Sequence, residues 1–156
     1  MRRLLKRIAA RKPMALIERG GKPYMFRYYL GAWGRCAAFL HHIVASDPDS
    51  ELHDHPHRWA IGLILAGGYR EERLHRYTRH LFGAPVGEDT CRIVRRFWPG
   101  RINFVRGTDF HRLTLVSGRD AWTLFIHGPR AKPWGFLRPD GTVRLVTGRV
   151  RDSATR

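Results

Sequence analysis

The chemistry of this chain concentrates at His53-Asp54-His55-Pro56-His57. In an extended backbone successive side chains alternate faces, so His53 and His55 project the same way, about 7 Å apart along the strand. Two imidazoles so placed can grip one divalent ion if a third ligand arrives from a neighbouring strand. His111, which opens the β-compatible run to Val116, is the candidate. Neutral imidazole suits Zn, Fe, Mn, Ni or Cu, and three such ligands on a rigid frame leave positions open for water or substrate. A ligating histidine also needs an acceptor for its second ring nitrogen. Asp109 stands two residues before His111 and shares its face if the strand has begun by then, as a fourth ligand or as that acceptor. Asp54 faces the other way and reads as a turn or surface residue. Pro56 bends the chain and leaves His57 unplaced. An isolated H-x-H is a weak motif; here its position after a turn and at a strand start gives it weight.

Other groups stand where they could face the same interior. Tyr69 follows Gly67-Gly68 and could donate a proton or hydrogen-bond a substrate; it reads equally as a rim aromatic. Glu71 and Glu72 come next, one facing in and one out by alternation. His127 shares a face with Thr123 and Phe125 and titrates near neutral pH unless perturbed. It is a candidate acid or base, or a satisfied core histidine. Arg130, Lys132 and Trp134 could clamp an anionic or planar ligand. Tyr69 and His127 are thus the candidate catalytic residues, and Tyr69, Arg130 and Trp134 the candidate substrate contacts.

Positioning these groups falls to a β framework. Short β-rich runs at 24–30, 35–46, 57–65, 91–98, 102–106, 111–116, 121–126 and 142–146 are separated by Gly/Pro punctuation, including Asp47-Pro48-Asp49-Ser50, Gly67-Gly68, Pro99-Gly100 and Gly128-Pro129. That pattern indicates an antiparallel sandwich or closed barrel. No segment of helical period and length lies between residues 23 and 147, which argues against a parallel α/β fold. Residues 71–90 are polar and read as a loop or an extended hairpin. Residues 1–22 form a separate basic block in which Leu4, Leu5, Ile8 and Ala9 recur at helical spacing before Pro13. The expected organisation is a basic N-terminal arm over 1–22, a barrel over 23–147 and a flexible tail over 148–156.

The chain has 156 residues, enough for one domain, and a formal net charge of +16. Four of its 29 basic residues are Lys and the rest Arg. A polyanionic partner would explain the excess of bases; codon bias explains only the choice of Arg. The two cysteines, Cys36 and Cys91, form no C-x-x-C pair, which excludes a cysteine-rich zinc site. Apolar runs are too short for a membrane-spanning helix, and Lys6, Arg7, Arg11 and Lys12 interrupt any signal-like segment. A cytoplasmic location is expected.

The segment from His53 to Glu72, with Gly107 to Leu115, resembles the cupin superfamily, whose members are double-stranded β-helix barrels. The cupin H-x-H maps onto His53 and His55, the Gly that follows onto Gly67 or Gly68, and the second-motif Gly and His onto Gly107 and His111. The wording around Ser46-Asp47, His53 to Pro56 and Gly67-Gly68-Tyr69 is similar to small single-domain cupins of bacteria and their phages. The resemblance spans roughly residues 24–137. It departs from the usual pattern where the first-motif Glu would fall near Trp59 or Ala60, and the Gly107–His111 spacing is one residue long. The site is then three-histidine, or Glu71 or Asp109 supplies a further ligand, or metal is lost.

The resemblance implies an all-β, double-stranded β-helix (cupin, or jelly-roll) barrel carrying a short basic helix or arm. It further implies an oxygenase-type enzyme acting on a small, anionic substrate at a divalent metal, iron first, with Zn, Mn or Ni admissible. Two alternatives remain. One is a non-catalytic binding or sensor module whose basic arm meets nucleic acid. The other is a metal-independent isomerase or epimerase with His55 or His111 as base and Tyr69 as acid. A homodimer is a further expectation, with Tyr24-Phe26-Tyr28-Tyr29 supplying an edge strand.

Overall fold

The computed structural model describes residues 1–47, 52–138 and 140–146. Most of the Asp47–Ser50 turn and the 148–156 tail lie outside the described residues. One helix, α1 (Arg2–Ala9), precedes twelve strands: β1 (Met14–Arg19), β2 (Lys22–Trp33), β3 (Cys36–Ile43), β4 (Leu52–His53), β5 (Trp59–Ala66), β6 (Tyr69–Leu81), β7 (Ala84–Phe97), β8 (Ile102–Arg106), β9 (His111–Leu115), β10 (Ala121–His127), β11 (Trp134–Leu137) and β12 (Val143–Val146). They form two curled antiparallel six-stranded sheets. The first runs β1-β2-β3-β10-β5-β8 and the second β12-β11-β4-β9-β6-β7.

Within residues 1–22 the chain makes α1 and then β1, which pairs with β2 as the outer strand of the first sheet. The turn between them is Gly20-Gly21, both at positive φ (57° and 72°). That is the geometry of the two-residue primed turn whose twist matches a hairpin. Because β2 pairs with β1 on one side and β3 on the other, its aromatic run presents no free edge. The expectation of a dimer edge there fails for that reason.

Alternation sets the core. In β5 every second residue is buried, and Ala60, Gly62 and Ile64 turn inward. Ile17, Tyr24, Met25, Ile43, Ile64, Tyr69, Phe97, Leu115 and Ala121 fill the space between the sheets. α1 lies on the outside of the first sheet. Its Leu5 and Ala9 cover Leu40, Ala66 and Trp122, the last 1% exposed. The helix is fastened by the Arg2–Asp120 ion pair, and Asp120 also meets His42 (2.7 Å) and the Trp122 indole (3.2 Å).

Residues 71–90 belong to an extended hairpin, β6 paired along its length with β7, turning at Phe82-Gly83. Cys36 and Cys91 are both free. No helix among the described residues is long and apolar enough to cross a membrane.

Candidate metal centre

β4 is only two residues long, yet its register determines the site. His53 pairs with His111 of β9 on one side and with Phe136 of β11 on the other. Directly opposed residues of an antiparallel pair share a face. One backbone pairing therefore carries histidines from distant parts of the chain into contact. His55 lies just beyond β4, held by the anchoring of Asp54 before it. The Asp54 N–H donates to Gly135 O (3.0 Å), the Gly135 N–H donates to the Asp54 carboxylate (2.8 Å), and Lys132 pairs with the same carboxylate. Asp54 is 4% exposed, so the expectation of a surface residue is corrected: its outward-facing carboxylate is covered by β11. Gly107 underlies the following turn. A Cβ there would run into the His57 carbonyl oxygen, and the Gly107 N–H donates to Arg58 O (2.9 Å). The glycine of the second motif is a close-approach glycine.

The candidate ligand atoms of His53, His55 and His111 all lie within 4.8 Å of one another. Ring centroids are 4.9 Å apart for His53–His111 and His55–His111, and 5.8 Å for His53–His55. His55 Nε2 stands 2.8 Å from His111 Nε2. Adjacent ligands on one ion with bonds of about 2.0–2.1 Å are separated by about this much. His53 Nδ1 is buried with no hydrogen bond. Burial first, then the neighbouring imidazoles, hold His53 and His55 well below the usual histidine range, in the neutral form a metal requires. Spacing and donor type fit a divalent ion held by three histidines, and the neutral forms of His53 and His55 suit it.

Behind His111 stands Glu71, 1% exposed. Its Oε1 accepts from His111 Nδ1 (2.6 Å), which leaves Nε2 facing the other two rings. Arg73 Nη2 reaches both Glu71 oxygens (2.9 and 2.8 Å) and Asn103 Nδ2 donates to Oε1 (2.9 Å). Burial pushes the Glu71 carboxyl up, but the hydrogen bond and charge of His111, then Arg73 and Asn103, prevail and hold it at about 2. Glu71 is thus the acceptor behind His111, and the group whose atoms could hold an ion is His53, His55 and His111 without it. Asp109 is elsewhere. The strand begins only at His111, so Asp109 sits in the preceding turn, where it takes Arg73 (3.1 Å) and the Arg106 N–H (3.0 Å). Glu72 faces outward to Arg92 and Arg112.

The histidines open onto a cavity of about 340 Å³ between the sheets. Tyr69 lines it, 3% exposed, and burial pushes its phenol up, so the hydroxyl keeps its proton. Its oxygen accepts from Asn103 Nδ2 (3.3 Å), leaving that proton free to donate. Trp134 lines the cavity with its ring 6.1 Å from His53 and 6.2 Å from His55. Arg130 lines it and pairs as an isolated bridge with His57. His127 is one layer back. Its ring lies tilted against His57 (3.5 Å between centroids) and its Nδ1 donates to Gly128 O (2.9 Å).

Sequence reasoning missed Arg73, Asn103, Arg27 and His41. Asn103 carried a readable signal, being the polar member of an otherwise inward apolar pair with Val105 on β8. His41 carried the same signal on β3. Nothing local marked Arg73 or Arg27 among so many arginines.

No family model matches the chain, and no curated protein matches it. Solved structures do. An Fe(II)-bound HppE with the alternative substrate (S)-1-HPP superposes with a TM-score of 0.56 at 14% identity, covering 76% of this chain and 57% of that one. Hydroxypropylphosphonic acid epoxidase from S. wedmorenis gives 0.52 at 14% identity, with 76% and 56% covered. Streptomyces albus HEPD, with 2-hydroxyethylphosphonate and Fe(II) bound, gives 0.55 at 11% identity, with 84% and 26% covered. The chain spans less than two thirds of the length of these proteins. At such identities the likeness speaks for fold alone. The fold is the double-stranded β-helix of the cupin type, with a short helix added at the N-terminus.

Proposed function

We propose that this protein is a metal-dependent cupin enzyme of the oxygenase type, acting on a small molecule held in the interior cavity beside His53, His55 and His111. The observation that carries the reading is the convergence of three imidazoles, His53 and His111 buried and His55 half-buried, at the wall of one cavity. Iron is the ion we propose. The Fe(II) in the HppE and HEPD structures supports that choice, and imidazole ligation admits it.

When bound, such an ion supplies a Lewis acid and a one-electron couple with coordination positions left open toward the cavity. The protein's own groups do the rest. Glu71 fixes the His111 tautomer and ring orientation. Tyr69 presents its hydroxyl proton to the substrate. Trp134 and Phe125, with rings about 6 Å from His55, wall the site and exclude water. His127 acts through His57, stiffening the cavity wall.

The test is elemental analysis of the purified full-length chain. About one divalent ion per chain is expected, by purification or by anaerobic reconstitution with Fe(II). The paired variant His53→Ala/His55→Ala should keep its β-sheet circular dichroism and lose the ion. A wild-type chain that carries no metal and takes none up overturns the reading.

A further inference from the structure

The outer face of the first sheet stays apolar beyond the part that α1 covers. Register aligns its outward side chains in two rows across β3, β10, β5 and β8. Leu40, Leu124, Leu63 and Ile102 make one row, and Ala38, Ile126, Ile61 and Phe104 the other. The residues between them, Gly62, Asn103 and Phe125, face the cavity. α1 closes this face only at Leu40, Ala66 and Trp122. Leu5 and Ala9 look down onto the sheet, and Arg2 is held at Asp120, beyond the Trp122 end of β10. Leu4 and Ile8 are each about 100° round the helix from these buried residues, away from Arg2. They therefore line the flank of α1 that looks toward Leu124.

Ile102 is 65% exposed, Leu4 55%, Phe104 49% and Ile8 38%, while Ile61, Leu63, Leu124 and Ile126 are half-buried. Four strands about 4.8 Å apart, about four residues of each, and one flank of a two-turn helix give roughly 400 Å² of contiguous apolar surface. A standard interface takes about 800 Å² from each partner, a little over half of it apolar. The patch is thus large enough to be the apolar centre of one partner's share. It also suits a second copy of itself. The two rows hold no charged side chain, so apposed copies bring no like charges together at the centre, although each chain carries +16. A two-fold axis sets a patch against itself, and the faces of two sheets interdigitate at about 10 Å. Residues 147–156 hold one large apolar side chain, Val150, too few to cover the face.

We propose that two copies of this chain pack these faces together, burying Ile102, Phe104, Leu4 and Ile8 of each. The contact lies on the outside of the first sheet, away from the cavity. It therefore holds whether or not the histidines carry a metal, and it replaces the β2 edge as the surface through which the chain associates.

The experiment is analytical ultracentrifugation of the full chain up to about 100 μM, at low and at high salt. A reversible dimer with a dissociation constant of about micromolar or tighter is expected, the range of interfaces this size. Raising the salt should tighten it, because salt screens the repulsion between two cationic chains. Ile102→Glu and Phe104→Glu should each weaken the dimer about 100-fold or more, since association would bury an unpaired carboxylate. Both side chains are exposed in the monomer, so the variants should keep the wild-type circular dichroism. Where a Glu variant loses it, the milder Ile102→Ser/Phe104→Ser pair decides, with a weakening of about tenfold or more expected. Leu145→Glu, at an exposed apolar position on β12 of the other sheet, should leave the dissociation constant unchanged. A wild-type monomer throughout this range, a dimer that survives the substitutions at Ile102 and Phe104, or one that salt dissociates overturns the proposal.

Discussion

Replacing Glu71 by Gln tests the centre without touching a candidate ligand. The carboxylate is 1% exposed and receives His111 Nδ1, Arg73 and Asn103. Its proton affinity in the folded chain, about 2, lies below the ordinary value of 4.5. At about 1.4 kcal/mol per pH unit, that difference corresponds to about 3 kcal/mol favouring the folded state. The sign follows from the depressed folded value: the contribution is fully present above about pH 4.5 and is lost as pH falls toward 2. Gln removes the charge facing Arg73 and cannot titrate. In chelator at neutral pH, urea unfolding of Glu71→Gln should show a deficit of about 3 kcal/mol. For a chain of this size that is a lowering of Tm by about 6–12 °C. The gap to wild type should narrow steadily below pH 4.5. Metal affinity, measured by competition with a chromophoric chelator, should fall about 10- to 100-fold, the usual cost of losing the acceptor behind a ligating histidine. A variant with wild-type stability across this pH range, or with undiminished metal affinity, refutes the assignment of Glu71 as the group that orients His111.

Three further outcomes are expected. Gly107→Ala should cost at least about 2 kcal/mol in urea unfolding and weaken metal uptake, because its methyl group meets the His57 carbonyl oxygen beneath the His55–His57 turn. Trp122→Ala should cost about 3–5 kcal/mol and release α1, seen as faster proteolysis between α1 and β1; the indole is 1% exposed under Leu5 and Ala9. Asp120→Asn should cost under about 1 kcal/mol in thermal unfolding, since its ion pair with Arg2 is partly solvated on both sides.

Period-two alternation and Gly/Pro punctuation made the β framework legible from sequence. The runs read at 24–30, 102–106, 111–116 and 121–126 all fall within or almost coincide with β2, β8, β9 and β10. The same alternation placed His53 and His55 on one face, and separated Glu71 from Glu72. β1, β4 and β11 escaped it. β4 has two residues and β11 four, too few for a period to show, and β1 is an outer strand in a segment dominated by its basic composition.

What residue order determined was therefore facing: which side chains look inward if their stretch is a strand. Partnership was decided elsewhere. The single pairing of His53 with His111, the covering of Asp54 by β11, and the meeting of Glu71 with Arg73 and Asn103 follow from the register of strands far apart in the chain. Register is fixed by the sum of many small packing and hydrogen-bonding terms across both sheets, and no local window contains that sum. The same holds for His41, which differs from the other histidines only in the strand pairing that sets it between Arg27 and Thr123 on the inner face of the first sheet.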